Sequence, residues 1–206
     1  MKNNLKAFLA MVALFATPLT GCMGKVKYPT YYTLNLAPAI DPPPKSGALV
    51  SIAVRQFQAP AYLREGPVVY LVSPEKIGFY EYHRWAVDPR QSITNAIVER
   101  LRASGDFALV KTYDGHNDVD YILTGRLDKL DEVDYEGGVR VEVALSAQAM
   151  DLHSGKTVWS NSAANTAKVE ERKVSGVVTQ MSSTTDRTIE ELLKSLALPQ
   201  STTVKQ

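Results

Sequence analysis

KIGFYEYHRWAVDPRQSITNAIVERLRASG, residues 76–105, decides the fold class. Its first ten residues, Lys76 to Trp85, are rich in aromatic side chains that suit a pleated surface and read as a strand. Asp88 then caps a helix that begins at Pro89, because its carboxylate can accept an orphan backbone N–H and proline's fixed φ suits the first turn. Gly105 closes that helix, since glycine adopts the left-handed conformation of a C-terminal cap. Ile93, Ile97 and Leu101 fall at i, i+4 and i+8 and make one apolar stripe, leaving Arg90, Glu99 and Arg102 for water. A strand therefore runs straight into an amphipathic helix.

Outward from this stretch the chain is mostly strand. Val68–Val72 pairs with Lys76–Trp85 as a hairpin around Ser73-Pro74-Glu75. Pro60 and Pro67 bracket a loop holding Tyr62 and Leu63, and Leu49, Ile52 and Val54 mark a strand before it. The alternation in YYTLNL, Tyr31 to Leu36, predicts a first strand. Downstream, strands are predicted over Phe107–Tyr113, Val119–Val133, Val139–Met150 and Thr157–Val169, with turns at 114–118 and 136–138. A second helix spans about Val174 to Leu196, with Val174, Val177, Met181, Thr185, Ile189, Leu192 and Leu196 along one side. Its middle, Ser182 to Thr185, is a weak helix former, so burial must hold it, while Gln180, Ser182 and Ser183 are assigned to surface. Helices do not alternate one-to-one with strands, which predicts a single α+β domain: a mostly antiparallel sheet with two main helices packed on it.

The chain has 206 residues, 45% of them hydrophobic and 22% charged, the values of a folded globular protein. With 23 basic and 22 acidic side chains it lacks the basic excess of a nucleic-acid binder. One cysteine, Cys22, excludes an intrachain disulfide and a cysteine-based zinc cluster.

The amino terminus is an address. Lys2 and Lys6 precede an apolar run, Ala7 to Phe15, too short to span a bilayer as a helix, which is the pattern of a secretory signal. Leu19-Thr20-Gly21-Cys22 follows and resembles the lipobox of bacterial lipoproteins. That resemblance implies cleavage before Cys22, diacylglycerol on its sulfur and an acyl chain on the new amino group. Each buried CH₂ contributes about 0.8 kcal/mol, so one chain anchors marginally and two or more anchor stably. Removing residues 1–21 takes two lysines and no acid, leaving a net charge of −1. Met23 and Gly24 follow the cysteine with no aspartate, which in such lipoproteins implies the outer membrane, facing the periplasm. Residues 22–47, with Pro42-Pro43-Pro44, read as a tether enclosing the first strand; residues 48–198 form the domain and 199–206 a polar tail.

Catalytic and ligand motifs do not assemble. Ser154-Gly155-Lys156-Thr157 ends like a phosphate loop, but Met150 stands where its first glycine belongs and a strand follows where a helix is needed. His83, His116 and His153 share no metal-ligand spacing, and no G-x-S-x-G elbow occurs. Asp128, Asp131, Glu132, Asp134 and Glu136 lack the calcium-loop pattern and are assigned to a solvated strand end. No metal and no cofactor is expected. The unusual stretch is Phe79 to Trp85. Simple alternation sends Phe79 and Trp85 to one side and Tyr80 and Tyr82 to the other. Tyr80, Tyr82, Arg84 and Trp85 are the candidate partner interface, being residue types that dominate hot spots.

The order of these features is lipobox, Tyr32-Thr33-Leu34, Ile52-Ala53-Val54, Pro60-Ala61-Tyr62-Leu63, Val68-Val69-Tyr70, then Tyr82 with Arg84-Trp85-Ala86 leading into the helix. It resembles the auxiliary lipoproteins of ABC-type transport systems, the PqiC-like family. The resemblance implies a non-enzymatic component of intermembrane transport of lipid or another hydrophobic solute. Such a component docks an MCE-domain protein at the outer membrane, as a homo-oligomer and in some cases a ring. It places ATP hydrolysis on another chain and makes Cys22 the anchor. The alternative is a lipoprotein that itself carries a lipid between sheet and helices.

Overall fold

The computed structural model describes residues 27–39, 50–135 and 137–199. The signal segment, Leu19 to Cys22, the triple proline and residues 201–206 lie outside them. The strands are β1 (Thr30–Tyr32), β2 (Ser51–Val54), β3 (Pro67–Ser73), β4 (Lys76–Trp85), β5 (Leu109–Thr112), β6 (Tyr121–Val133), β7 (Arg140–Asp151) and β8 (Thr157–Lys168). Helix α1 is Pro89–Ser104, helix α2 is Val174–Leu193, and a 3₁₀ turn covers Ala61–Arg64. All eight strands join one sheet, so the chain is an α+β protein with a single domain.

β6 is the spine. β7 pairs with it along its whole length, and β8 pairs with β7 in turn. On the other side β6 meets β2 at Tyr121–Leu123 and β3 at Glu132–Val133, with a bridge between Gln58 and Arg126 in the middle. The sheet thus forks into two wings, β2–β5 and β3–β4–β1. Phe57 lies in the fork against Gly125, where an added Cβ would sit 2.2 Å from its ring. The long strands are held by antiparallel ladders, β3–β4, β6–β7 and β7–β8. The short neighbours β1–β4, β2–β5, β2–β6 and β3–β6 pair parallel and make the sheet mixed.

Both helices lie where the sequence puts them, the second ending at Leu193 and not at Leu196. Asp88 accepts the Arg90 N–H at 2.9 Å, and Gly105 closes α1 with φ of 68°. Ile93, Ile97 and Leu101 are buried, as are Val177, Met181, Ile189 and Leu192 of α2. α2 covers β7 and β8, so the space between sheet and helix is filled by Leu123, Leu127, Leu145, Met181, Ile189 and Leu192. Burial contributes about 1.5–3 kcal/mol for each such side chain. In the weak middle of α2 the buried hydroxyls of Ser182, Thr185 and Thr188 donate to the carbonyls of Val178, Met181 and Thr184. That satisfies polar groups which would otherwise be unpaired in the core.

Two expectations change. The first strand ends at Tyr32, not Leu36, because the chain turns onto α2: Asn35 donates its N–H to Ser182 Oγ, and Ala37 to Asp186. Ser182 is consequently buried and not surface.

Candidate functional site

β4 does not alternate simply. Its pairing with β3 places Pro67 opposite Arg84 and Val69 opposite Phe79, so β4 takes five residue steps where β3 takes two. The irregularity brings Tyr80 and His83 to the same side, their rings 5.6 Å apart, and Trp85 follows two residues later. This corrects the expectation that Phe79 and Trp85 share a face and that Tyr80 opposes Trp85. Tyr80, His83 and Trp85 point inward; Phe79, Tyr82 and Arg84 point outward beside Tyr31, which pairs with Arg84.

The four interface candidates therefore divide. Trp85 is 9% exposed and belongs to the core. Tyr80 packs against Tyr70 with the rings tilted by 50° and donates its hydroxyl to Glu132 at 2.9 Å. Arg84 donates to the Glu65 carbonyl at 3.2 Å, and Tyr82 carries Lys27 over its ring at 5.4 Å. Only Tyr82 and Arg84 of the four lie on the outward face, in company the sequence reading missed. Tyr28 and Tyr31 are 81% and 59% exposed, and Phe79 is 40% exposed, with Ile77 and Val72 beside it at the hairpin end. Of seven large apolar side chains exposed among the described residues, five sit on this wing, which makes it a patch and not scatter.

Beneath the wing lie two carboxylates that the sequence assigns to solvent. Asp131 and Glu132 are 2% and 4% exposed. Tyr62, from the 3₁₀ turn, donates to Asp131 at 3.3 Å, as Tyr80 does to Glu132. Burial pushes the Asp131 carboxyl up to about 6 and raises Glu132 as well; the same two contacts, with burial, hold the Tyr62 and Tyr80 hydroxyls protonated well above the ordinary tyrosine range. Asp131, on the face it shares with Glu142, is covered by Tyr62 of the 3₁₀ turn, whereas Glu132 is turned inward by a register shift between Leu127 and Lys129. The shift puts Leu127 and Leu130, three apart, on one inward face and turns Glu132 to that side. Apolar residues three apart inside a strand were the available signal.

Two clefts complete the surface. One of about 690 Å³ opens over the exposed face of β6, β7 and β8, lined by Arg55, Gln58, Arg126, Ser146, Gln148 and Ser160. Its guanidiniums are engaged, Arg126 with Asp128 at 3.0 Å and Arg55 over the Tyr113 ring at 4.4 Å. The other, about 490 Å³, lies between α1 and α2 and is lined by Leu101, Phe107, Leu193 and Leu196. The three histidines stay apart: His83 bonds the Tyr32 hydroxyl, His116 neighbours Asp114 and His153 neighbours Asp120. The Ser154-Gly155-Lys156 stretch is a turn held by the Asp151 carboxylate, which accepts the N–H of His153 and Ser154. Among the described residues no group of three or more His, Cys, Asp or Glu could hold a metal ion, and no helix is long and apolar enough to cross a membrane.

What fold and surfaces define is an α+β module whose conspicuous groups are a forked sheet and an exposed aromatic wing. The chain belongs to the family of ABC-type transport auxiliary lipoprotein components, whose model matches residues 32–192, from the end of β1 to the last turn of α2. No curated protein matches the sequence. Among solved structures it is similar to protein XCC0632 from Xanthomonas campestris, of the DUF330 family. That likeness has a TM-score of 0.66 at 16% identity, over 80% of this chain and 92% of that one. An uncharacterized protein gives 0.63 at 17% identity, over 81% and 97%. The hypothetical protein CT253 from Chlamydia trachomatis gives 0.50 at 9% identity, over 71% and 95%. At these identities the likeness is one of fold.

Proposed function

We propose that this chain is a non-enzymatic, lipid-anchored component of an ABC-type transport system that moves lipid or another hydrophobic solute between membranes. It docks an MCE-domain protein at the outer membrane, faces the periplasm and assembles with copies of itself, as a ring in the fullest form of the reading. Cys22, preceded by Leu19, Thr20 and Gly21, is the proposed anchor, and the outward face carrying Tyr82 and Arg84 is the proposed contact surface. The observation that carries the reading is the family match over residues 32–192 in a chain with a lipobox at 19–22. The scattered histidines and the turn at 151–156 agree with leaving ATP hydrolysis to another subunit. The alternative, a lipid held between sheet and α2, meets a volume already filled by core side chains.

The test is affinity purification of the tagged full-length lipoprotein from its own membranes in mild detergent. An MCE-domain protein and its permease should co-purify, and neither should be recovered from membranes that carry the untagged lipoprotein. Recovery of the lipoprotein free of any transport subunit sinks the docking role.

A further inference from the structure

We propose that the hairpin end of the β3–β4–β1 wing rests on the bilayer, with Tyr28, Ile77 and Phe79 at the lipid headgroups. The proposal rests on the Cys22 anchor. Its occupant, a phospholipid surface, is argued from where the chain enters the fold.

β1 runs parallel to β4, with Thr30 opposite His83. Upstream of Thr30 the chain therefore points toward the start of β4, the turn of the hairpin. Lys27 over the Tyr82 ring shows the chain still following β4 three residues earlier. Cys22 lies eight residues before Thr30, and Lys76, the first residue of β4, lies seven before His83. At about 3.3 Å per extended residue the tether spans at most ~26 Å, and Lys76 to His83 along β4 is shorter than ~23 Å because the irregularity opposite β3 takes up residues without rise. The lipidated cysteine therefore cannot reach far beyond the hairpin turn, and the turn cannot stand far from the membrane.

The side chains at that end suit the place. Val72, Ile77 and Phe79 are exposed there, and Tyr28 and Tyr31 are exposed just before and within β1. Tyrosine favours the membrane–water boundary because its ring is apolar and its hydroxyl stays wet. Leu109, on β5 at the opposite end of the strand order, is an exposed apolar side chain without such company and serves as the control.

Cys22 is the sole cysteine, so in the lipidated protein an introduced thiol is the single labelling site. The full-length lipidated protein is reconstituted in vesicles of phosphatidylethanolamine and phosphatidylglycerol, with an NBD fluorophore on Ile77→Cys, Phe79→Cys or Leu109→Cys. Emission from positions 77 and 79 should shift to the blue and be quenched by nitroxide-bearing lipid, while position 109 behaves as in water. Water-like emission from all three, in protein that floats with the vesicles, overturns the docking face and leaves the anchor standing. A blue shift that appears only on adding the transport partner assigns the face to protein and overturns the lipid assignment. Labelling of Cys22 in the unsubstituted protein, with no flotation, overturns anchor and docking together.

Discussion

Asp131 is a carboxylate placed where ionisation is unfavourable. The Tyr62 hydroxyl donates to one of its oxygens, and the other is buried without a hydrogen-bond partner. Its folded pKa, about 6, lies above the ordinary 3.8. Below about pH 4 the group is protonated whether the chain is folded or not, and the site costs little. Through pH 6 and above the folded protein must hold a buried charge, so this contribution to stability is lost as pH rises. Asp131→Asn removes the charge and keeps an oxygen for Tyr62. It should raise stability by about 1–3 kcal/mol at pH 8 and by little at pH 4. Urea midpoints at the two pH values measure the difference, and equal shifts at both would overturn the account. In the sequence five acids between 128 and 136 look like a wet strand end, and Leu127 and Leu130, three apart, are the one hint against it. Glu132 is turned inward by one register shift between Leu127 and Lys129, a feature of pairing and not of composition, and Asp131 on the other face is covered by Tyr62 from a distant 3₁₀ turn.

Elements were more legible than residues, in proportion to how local their determinants are. Helix α1 carries its own punctuation in Asp88, Pro89 and Gly105, and its span follows from them. Asp88→Ala should lower stability by about 1 kcal/mol through the lost cap, while Asp88→Asn retains most of it because an amide oxygen can accept the Arg90 N–H. Thermal melts of the two variants separate a capping role from a purely ionic one, since Asn cannot replace the Arg90 ion pair; equal losses would sink the capping account. The first strand was read too long for the opposite reason. YYTLNL alternates as far as Leu36, but Asn35 and Ala37 find hydrogen-bond acceptors on α2, nearly 150 residues away. Local pattern cannot express that competition. The same holds for β4, whose aromatic alternation is broken by its partner strand.

At the scale of the whole molecule, α+β class and a single domain were readable from the order of elements, whereas the fork in the sheet was not. Four parallel pairings join strands far apart in sequence, and nothing in a short window announces them. The family match gives the chain its setting in transport, and Cys22 makes a prediction about where it resides. Cys22→Ser should abolish palmitate labelling and release the processed protein into the soluble fraction. Membrane retention of that variant, with an uncleaved signal excluded by N-terminal mass, would refute lipid anchoring through this sulfur. Parallel alignment of β1 with β4 also has a mechanical side. A tug on the chain from the Cys22 end is directed along β1, so its ladder bonds are loaded together in shear instead of being peeled singly. Behind them Ser182 and Asp186 grip the next few residues against α2. With Cys22 anchored as proposed, tension from a drifting membrane would pass to the helix and the body of the sheet, and a three-residue strand can serve as a mooring.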